Sequence, residues 1–343
     1  MFSTTPDALA EILQRSGIAP YRATQVLSWV YRRGIVDPTA MTNVPRELRD
    51  VLASELAPPA LEVASIARSH DGTRKFAFRL ADGEVIESVL IPDRHRLTLC
   101  VSSQVGCAMG CGFCATAQLG LRRHLAPDEI VAQVMLARRH LADDPLGIGH
   151  LTNLVFMGMG EPLHNLENVI AAIGILTAPW GVGISPRRIT VSTVGLVPQM
   201  RELLARTHVN LAVSLSATTE ESRRALMPVT RKYSLQELLD ACRELPVPRR
   251  RRITFEYVML AGENDGDDDA RRLVRLLHGI RSKVNLICFN AFPGAAYEGT
   301  AAERRERFQR LLLEHGVNAT IRDSRGPDIA AACGQLAAQA VES

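Results

Sequence analysis

The spacing of apolar residues predicts helices in the first part of the chain and strands directly after it. Apolar positions in residues 6–55 recur with the period of an α-helix. Three short amphipathic helices are predicted here, over Asp7–Arg15, Tyr21–Arg33 and Pro45–Ala53. From Leu61 the period changes to two, which is typical of strands with one buried face. A small antiparallel β layer is therefore predicted, over Leu61–Ala67, Lys75–Leu80 and Glu84–Ile91.

From residue 97 nearly to the end of the chain, short apolar runs alternate with amphipathic helical segments such as Pro127–Leu141. The runs predict six strands: Leu97–Ser102, Asn153–Met157, Arg188–Ser192, Asn210–Ser214, Ile253–Val258 and Val284–Phe289. Almost continuous apolar runs are typical of parallel strands that are covered on both faces. Repeated strand–helix units predict an α/β fold, a partial (βα)6 barrel similar to a TIM barrel.

These changes of pattern divide the chain into four predicted parts. The helical part covers residues 1–59 and ends at two consecutive prolines, and the β layer covers residues 60–93 as a linker. The barrel core covers residues 94–325, and a C-terminal segment covers residues 326–343.

Polar and glycine residues follow five of the six predicted strands. They are Cys107, the turn Gly158–Pro162, the pair Ser192-Thr193, the run Ser214–Ser216, and Asn290. In α/β barrels the reacting groups lie just beyond the carboxyl ends of the strands. We therefore expect the functional site at this edge of the barrel.

Composition limits the class of protein. The chain has 343 residues, of which 46% are hydrophobic, so it can form a large core, and its net charge of +3 does not by itself indicate nucleic-acid binding. No apolar stretch is typical of a membrane span, and the first residues do not resemble a secretory signal. We expect a cytoplasmic protein without a membrane partner, where cysteines more often serve metals or catalysis than disulfides.

Three cysteines on one loop are the most specific feature of the sequence. Cys107, Cys111 and Cys114 have the spacing C-x3-C-x2-C, with no histidine between them. Structural zinc sites usually have four ligands, so a zinc site is the less favoured alternative, with free thiols as a further one. Three thiolates on a tight loop suit a [4Fe–4S] cluster, which normally takes four. The fourth iron would then be open to a ligand that is not protein.

This loop, together with the Gly-Met-Gly-Glu-Pro turn at residues 158–162, resembles the radical S-adenosylmethionine (SAM) superfamily. The resemblance implies a radical SAM barrel in which the open iron binds the amino and carboxylate groups of SAM. Electron transfer from the cluster then yields a 5′-deoxyadenosyl radical. Gly160 would let the backbone approach the cofactor, and Glu161 could accept hydrogen bonds from its ammonium. The alternative for Glu161 is a helix N-cap near a strand end.

Of the other cysteines, Cys242 and Cys288 are predicted to lie in the core. From composition alone, Cys100 and Cys333 would also be small buried hydrophobic residues. However, the runs at residues 99–107, 157–162 and 332–336 resemble the bacterial dual-specificity RNA methyltransferases, and the resemblance covers nearly the whole chain. It implies methylation of carbon 2 of an adenosine in 23S ribosomal RNA (rRNA) and in certain transfer RNAs (tRNAs).

The resemblance also implies a mechanism that uses two thiols and two SAM molecules per turnover. Cys333 is methylated first, as a nucleophile. The deoxyadenosyl radical removes a hydrogen from that methyl group, and the resulting carbon radical adds to the base. Cys100 then attacks the sulfur of Cys333, which forms a transient disulfide as the product leaves. Glu87 matches the family's proton acceptor, although taken alone it would be interpreted as a solvent-facing strand residue.

A set of SAM contacts follows from the same resemblance. The implied contacts are Gly160, Glu161, Ser192, Ser214, Leu215, Ser216 and Asn290. Two positions depart from the common family pattern, which often has His where this chain has Ser216 and Pro where it has Ala291. Serine has neither the reach nor the shape of an imidazole.

The implied partners are 23S rRNA, tRNA and an electron donor such as flavodoxin, and we expect a monomer. Arg15, Arg22, Arg32 and Arg33 in the N-terminal helices are candidate RNA contacts. Two alternatives remain open. A sister methylase that modifies carbon 8 of the same adenosine uses the same motifs, and a non-catalytic iron–sulfur electron-transfer protein would need a fourth cysteine ligand.

Overall fold

The N-terminal part of the chain is helical, as its apolar spacing predicts. The structure, a computed structural model, describes residues 2–55, 61–142 and 150–337. Its first three α-helices are α1 (Pro6–Arg15), α2 (Arg22–Leu27) and α3 (Arg46–Glu55). The helix predicted over Tyr21–Arg33 is α2 followed by one π-helical turn, Ser28–Arg32. The predicted boundary at residues 59 and 60, and the last six residues of the predicted C-terminal segment, lie outside the described residues.

The predicted β layer forms an antiparallel meander of β1 (Leu61–Arg68), β2 (Arg74–Leu80) and β3 (Val85–Asp93). It is continuous with the barrel, because β3 pairs antiparallel with β4 (Arg96–Cys100). In that ladder Val89 lies opposite Cys100. The linker layer is therefore an extension of the barrel sheet.

A separate two-stranded ladder flanks the cysteine loop. It joins β5 (Gln104–Gly106) to β6 (Leu121–His124), and the short helix α4 (Ala115–Gln118) lies between these strands in sequence. The apolar pattern did not predict this ladder, since strands of three and four residues are too short to show a period.

In the described residues the barrel sheet contains seven parallel strands, one more than the six predicted, in the order β4-β7-β8-β9-β10-β11-β12. The strands after β6 are β7 (Asn153–Phe156), β8 (Ile189–Thr193), β9 (Asn210–Ser214), β10 (Ile253–Met259), β11 (Ser282–Cys288) and β12 (Ala319–Arg322). The additional strand, β12, pairs in parallel with β11. Its four residues include only two apolar ones, which is too weak a pattern to predict a strand.

Helices connect the parallel strands. They are α5 (Pro127–Ala142), α6 (Leu166–Thr177), α7 (Val197–Arg206), α8 (Glu220–Leu226), α9 (Leu235–Glu244), α10 (Asp267–Leu276) and α11 (Ala302–Glu314). Strand residues such as Leu154, Val191 and Phe255 are fully buried. One apolar core extends from the N-terminal helices through the meander into the barrel. None of the helices in the described ranges is both long and apolar enough for a membrane span.

Candidate active site at the carboxyl edge of the barrel

The cysteine loop is held in a tight turn between β5 and α4. Gly106 has a φ of +73°, and a Cβ atom there would lie 1.8 Å from the carbonyl oxygen of Gly120. The backbone N–H of Cys107 donates to the same oxygen at 2.9 Å. Only glycine fits this approach. The far side of the loop is tied to α8, because the N–H of Gly112 donates to the Leu226 carbonyl at 3.0 Å.

Two of the three thiols of the loop, those of Cys107 and Cys111, are buried, and Cys114 is half-buried. Burial raises the pKa of Cys107 to about 12 and the pKa of Cys111 well above its usual value. The neighbouring Cys114 raises both further. Three soft sulfur donors of this kind fit an iron–sulfur cluster, whose positive charge would favour their ionised forms. Within residues 2–55, 61–142 and 150–337, no group of three His, Cys, Asp or Glu is placed to hold a single metal ion.

Glu161, after β7, is buried beside this loop. Its carboxylate accepts hydrogen bonds from the N–H of Leu163 at 3.0 Å and of Val194 at 2.9 Å. The N-cap alternative is thus confirmed, because Leu163 lies in the short 3-10 helix Pro162–Asn165. Burial raises the pKa of Glu161 to about 7, against the pull of these donors. A carboxylate has further lone pairs, so its contact with SAM stays a prediction.

Gly160 is required by the protein itself. Its φ is +100°, and a Cβ there would lie 2.5 Å from the Cβ of Gln104. Gln104 in turn holds the turn in place, because its Oε1 accepts from the backbone N–H of Glu161 at 2.7 Å. The tight packing against β5 therefore explains this glycine without reference to a cofactor.

The other implied SAM contacts differ in accessibility. Ser192 and Ser214 are half-buried at the ends of β8 and β9, whereas Leu215 and Ser216 are fully buried. Ser216 has a φ of +47°, and its hydroxyl accepts from the N–H of Val258 at 3.2 Å. Leu215 and Ser216 therefore present no surface to a ligand in this conformation. Their contacts with SAM stay predictions.

The C-terminal segment crosses the carboxyl edge of the barrel and brings Cys333 to the cysteine loop. The Asn290 side-chain N–H donates to the Cys333 carbonyl at 3.5 Å, at the end of β11. The N–H of Ala115, next to the last loop cysteine, donates to the Gly334 carbonyl at 2.7 Å. Cys333 therefore lies between the end of β11 and the loop.

The structure places Cys100 and Cys333 together, although they are far apart in sequence. Cys100 is buried at the end of β4, and burial raises its pKa, which the nearby Cys333 raises further. Cys333 is accessible to solvent, yet desolvation by the surrounding protein raises its pKa to about 11. Both thiols are free, as are the buried Cys242 and Cys288, which occupy the predicted core.

Glu87 is buried, so its interpretation as a solvent-facing residue is wrong. Its Oε1 lies 2.9 Å from the ammonium of Lys75, and its Oε2 accepts from the N–H of Ala337 at 3.0 Å. Lys75 and Cys100 both lie opposite Val89 on the neighbouring strands, and Glu87 is two residues from Val89. All three side chains therefore point to one face of the sheet.

Sequence reasoning missed Lys75 as a site residue. A signal was available, because Lys75 is one of only three lysines in an arginine-rich chain and lies in a strand of predicted alternation. Its ammonium also donates to the Ala330 carbonyl at 3.3 Å. Lys75 thus connects the candidate proton acceptor to the C-terminal segment.

Comparisons with known proteins agree with this arrangement. A model of the radical SAM superfamily matches residues 101–274, and one of the ribosomal RNA large subunit methyltransferase N-terminal domain matches residues 1–57. The dual-specificity RNA methyltransferase RlmN of Syntrophotalea carbinolica is 52% identical over 97% of this chain and 88% of its own length. The dual-specificity RNA methyltransferase RlmN of Anaeromyxobacter dehalogenans is 52% identical over 98% of this chain and 91% of its own length. A radical SAM methyltransferase from Sphaerobacter thermophilus is 44% identical, with a TM-score of 0.94 over 99% of both chains. The predicted fold class is confirmed.

Proposed function

This chain belongs to the RlmN family of dual-specificity RNA methyltransferases, and we propose on that basis that it methylates carbon 2 of an adenosine in 23S rRNA and in certain tRNAs. The observation that carries the proposal is the meeting of Cys100 and Cys333 beside the cysteine loop. Carbon 2 of adenine is electrophilic and has no acidic proton, so a methyl cation equivalent does not react there directly. Two thiols and a radical source allow another route, in which the carbon is first attached to a cysteine sulfur and then adds to the base as a radical.

The family uses a [4Fe–4S] cluster and SAM. Cys107, Cys111 and Cys114 would hold the cluster, and the carboxyl ends of β7, β8, β9 and β11 would hold SAM. Bound there, the two together supply a methyl group and a carbon radical. The protein's own contribution is to shield this chemistry from water, since Cys107, Cys111 and Glu161 are all buried.

Cys333 is the residue that carries the transferred carbon in this proposal. Its pKa of about 11 means that the thiol is protonated at neutral pH, so it must lose a proton before it acts as a nucleophile. The positive charge of Arg322 lowers this pKa against the effect of burial and of Glu256. Because Cys333 is exposed, the base of an RNA substrate can approach this residue from the solvent.

Cys100 and Glu87 complete the proposed sequence. The thiolate of Cys100 attacks the sulfur of Cys333, the bond from that sulfur to the transferred carbon breaks, and the electron pair passes to the carbon, which takes up a proton. Before that attack, Glu87 accepts the proton from carbon 2 of the base, and the electron left on the radical adduct would return to the oxidised cluster. The ion pair of Glu87 with Lys75 fixes the carboxylate on the same face of the sheet as Cys100.

The roles of the two thiols predict opposite results for two substitutions. Cys100→Ala should stop turnover and leave RNA covalently attached to Cys333, because nothing releases the adduct. Cys333→Ala should form no adduct and no product. Denaturing gels of the reconstituted enzyme with labelled RNA measure both. Cys242→Ala, a buried cysteine on α9, is the matched control and should turn over. Release of methylated RNA by either of the first two variants would refute the assignment.

The position of methylation needs its own measurement. After reaction with an rRNA fragment and with tRNA, nucleoside digestion and mass spectrometry distinguish 2-methyladenosine from 8-methyladenosine by retention against standards. We expect the carbon 2 product from both RNAs. The carbon 8 product would assign the chain to the activity of the sister methylase, and methylated product from one RNA only would refute dual specificity.

We also propose that residues 1–59 form an RNA-binding domain. Arg22, Arg32 and Arg33 lie in or next to its second helix, and the guanidinium of Arg33 stacks on the Trp29 ring at 4.1 Å. Arg32 and Arg33 are exposed and Arg22 is half-buried, and exposed arginines suit contacts with phosphate. The division into parts at residues 59, 93 and 325, the flavodoxin-like donor and the monomeric state stay predictions.

A further inference from the structure

A buried arginine lies next to the cysteine loop and has no role in the proposal above. Arg223, on α8, is fully buried. Its guanidinium donates to the Thr230 hydroxyl at 2.8 Å and to the carbonyls of Val194 at 2.7 Å and Ser214 at 3.2 Å. Its Nε has no hydrogen-bond partner, and none of the ion pairs in the described ranges involves this residue. Arg223 is therefore a buried cation whose hydrogen bonds are all to neutral groups, and Glu220, on the same helix, is a carboxylate whose charge acts on it without an ion pair.

The loop that carries Cys111 packs directly on the helix of this arginine. The N–H of Gly112 donates to the carbonyl of Leu226, at the end of α8. Cys111 lies in one small apolar cluster with Leu226 and Met227. Arg223 lies one turn of α8 before Leu226, on the helix that holds this loop.

A buried guanidinium without a direct ion pair is costly, because the hydrogen bonds of the protein replace only part of the hydration that the charge has lost. Burial lowers the pKa of Arg223 to about 10, so the group keeps its proton at neutral pH. Three thiolate ligands give a cluster site a net negative charge, and that charge grows by one unit when the cluster is reduced. The unpaired cation and the negative site compensate each other.

We propose that Arg223 is a positioning residue for the cluster, and that its buried positive charge raises the reduction potential of the bound cluster. The inference rests on the proposed function. In the reduction, one electron passes from a donor such as dithionite to the cluster, and no bond forms or breaks. A fixed positive charge beside Cys111 favours the more negative reduced state, since net charge is one of the quantities that set such potentials.

The test compares reduction potentials in the reconstituted full-length protein. Arg223→Gln removes the charge and keeps an N–H donor, and Arg223→Lys keeps the charge without the planar fork. Arg224→Gln is the matched control on the same helix, because the Arg224 side chain is 54% exposed. The midpoint potential is measured by redox titration with electron paramagnetic resonance, and circular dichroism and thermal unfolding of each apoprotein report folding.

We expect Arg223→Gln to disfavour reduction at least tenfold, which for one electron is a shift of about 59 mV to lower potential. In the Arg223→Lys and Arg224→Gln variants, the equilibrium constant for cluster reduction should stay within threefold of that of the unsubstituted protein. If Arg223→Gln does not fold, the lysine variant decides. A folded lysine variant that loses the cluster, or whose midpoint potential falls by about 59 mV, would overturn the proposal, because geometry rather than charge would then matter.

Two failures are distinguishable. An unsubstituted protein that takes up no iron–sulfur cluster would overturn the proposed function and this inference together. A normal cluster in the unsubstituted protein, with an unchanged potential in a folded Arg223→Gln variant, would overturn only the role of Arg223.

Discussion

Among single side chains, Glu256 depends most clearly on its surroundings. It lies on β10 and is 7% exposed, and its Oε1 accepts from the side-chain N–H of Asn285 on β11 at 2.9 Å. Burial raises the pKa of Glu256 from 4.5 to about 7, although Arg322 and Lys283 act in the opposite direction. The folded protein therefore holds a proton on this group between pH 4.5 and about 7 that the unfolded chain releases.

This proton uptake predicts that Glu256 lowers stability as the pH rises. Glu256→Gln should increase the free energy of unfolding of the apoprotein, and by about 2 kcal/mol more at pH 8 than at pH 5. Denaturant titrations of both proteins at the two pH values measure the difference. Glu167→Gln, at an exposed carboxylate paired with Arg206, should not reproduce this gain. The same gain for Glu256→Gln at both pH values would contradict the raised pKa.

Glu87 marks the limit of sequence reasoning for single residues. Its position in an alternating strand predicts exposure when it is read alone, and the family resemblance was needed to single it out. The structure buries it because the C-terminal segment covers this face, with Lys75 and Ala337 supplying the partners of its carboxylate. The pattern of residues along one strand does not show that a segment from the other end of the chain packs over that strand.

Among the elements, the turn after β7 depends most on one residue. Gly160 combines a φ of +100° with contact against Gln104. Gly174, in the exposed interior of α6, has an ordinary φ and no neighbour within 4 Å of the position of a Cβ. The fold therefore requires glycine at position 160, whereas no contact requires glycine at position 174.

Alanine at these two positions should have opposite effects on stability. Gly160→Ala should lower the free energy of unfolding by about 2 to 5 kcal/mol, through backbone strain and overpacking. Gly174→Ala should raise it by about 1 kcal/mol through helix propensity. Chemical denaturation of the apoproteins measures both. Similar values for the two variants would show that the contact with Gln104 relaxes without cost.

The predicted elements were confirmed where the apolar pattern was long and regular. The six predicted barrel strands all have counterparts, because buried parallel strands need continuous apolar runs. The pattern failed at β5, β6 and β12, which have three or four residues, and at the π-helical turn after α2. Elements this short are formed by their neighbours rather than by their own periodicity.

For the whole molecule, the C-terminal segment joins the meander, the cysteine loop and the end of β11. Asp328 accepts from the Ser69 hydroxyl at 2.6 Å, and Asp71 accepts from the Gly326 N–H at 3.1 Å. Further along, the buried hydroxyl of Thr116 donates to the Leu336 carbonyl at 2.6 Å. These contacts place Cys333 without any regular element of its own.

Loss of one contact should loosen this segment locally. Thr116→Val keeps the shape of the side chain but leaves the Leu336 carbonyl without its donor, at a cost of about 1 to 3 kcal/mol. We expect amide exchange in residues 331–337 to rise at least tenfold, measured by hydrogen–deuterium exchange with mass spectrometry. Thr177→Val, which removes a similar bond within α6, should leave these residues unchanged. Unchanged protection in Thr116→Val would show that other contacts hold the segment.

The amino-acid sequence by itself determined the cysteine loop, the glycine turn after β7 and the alternation of strands and helices, because each depends on residues that are neighbours in the chain. Only the tertiary structure decided that Cys333 comes close to Cys100, that the C-terminal segment covers Glu87, and that Leu215, Ser216 and Arg223 are fully buried. Burial and electrostatic contact depend on which distant segments pack together. A linear pattern does not record that packing.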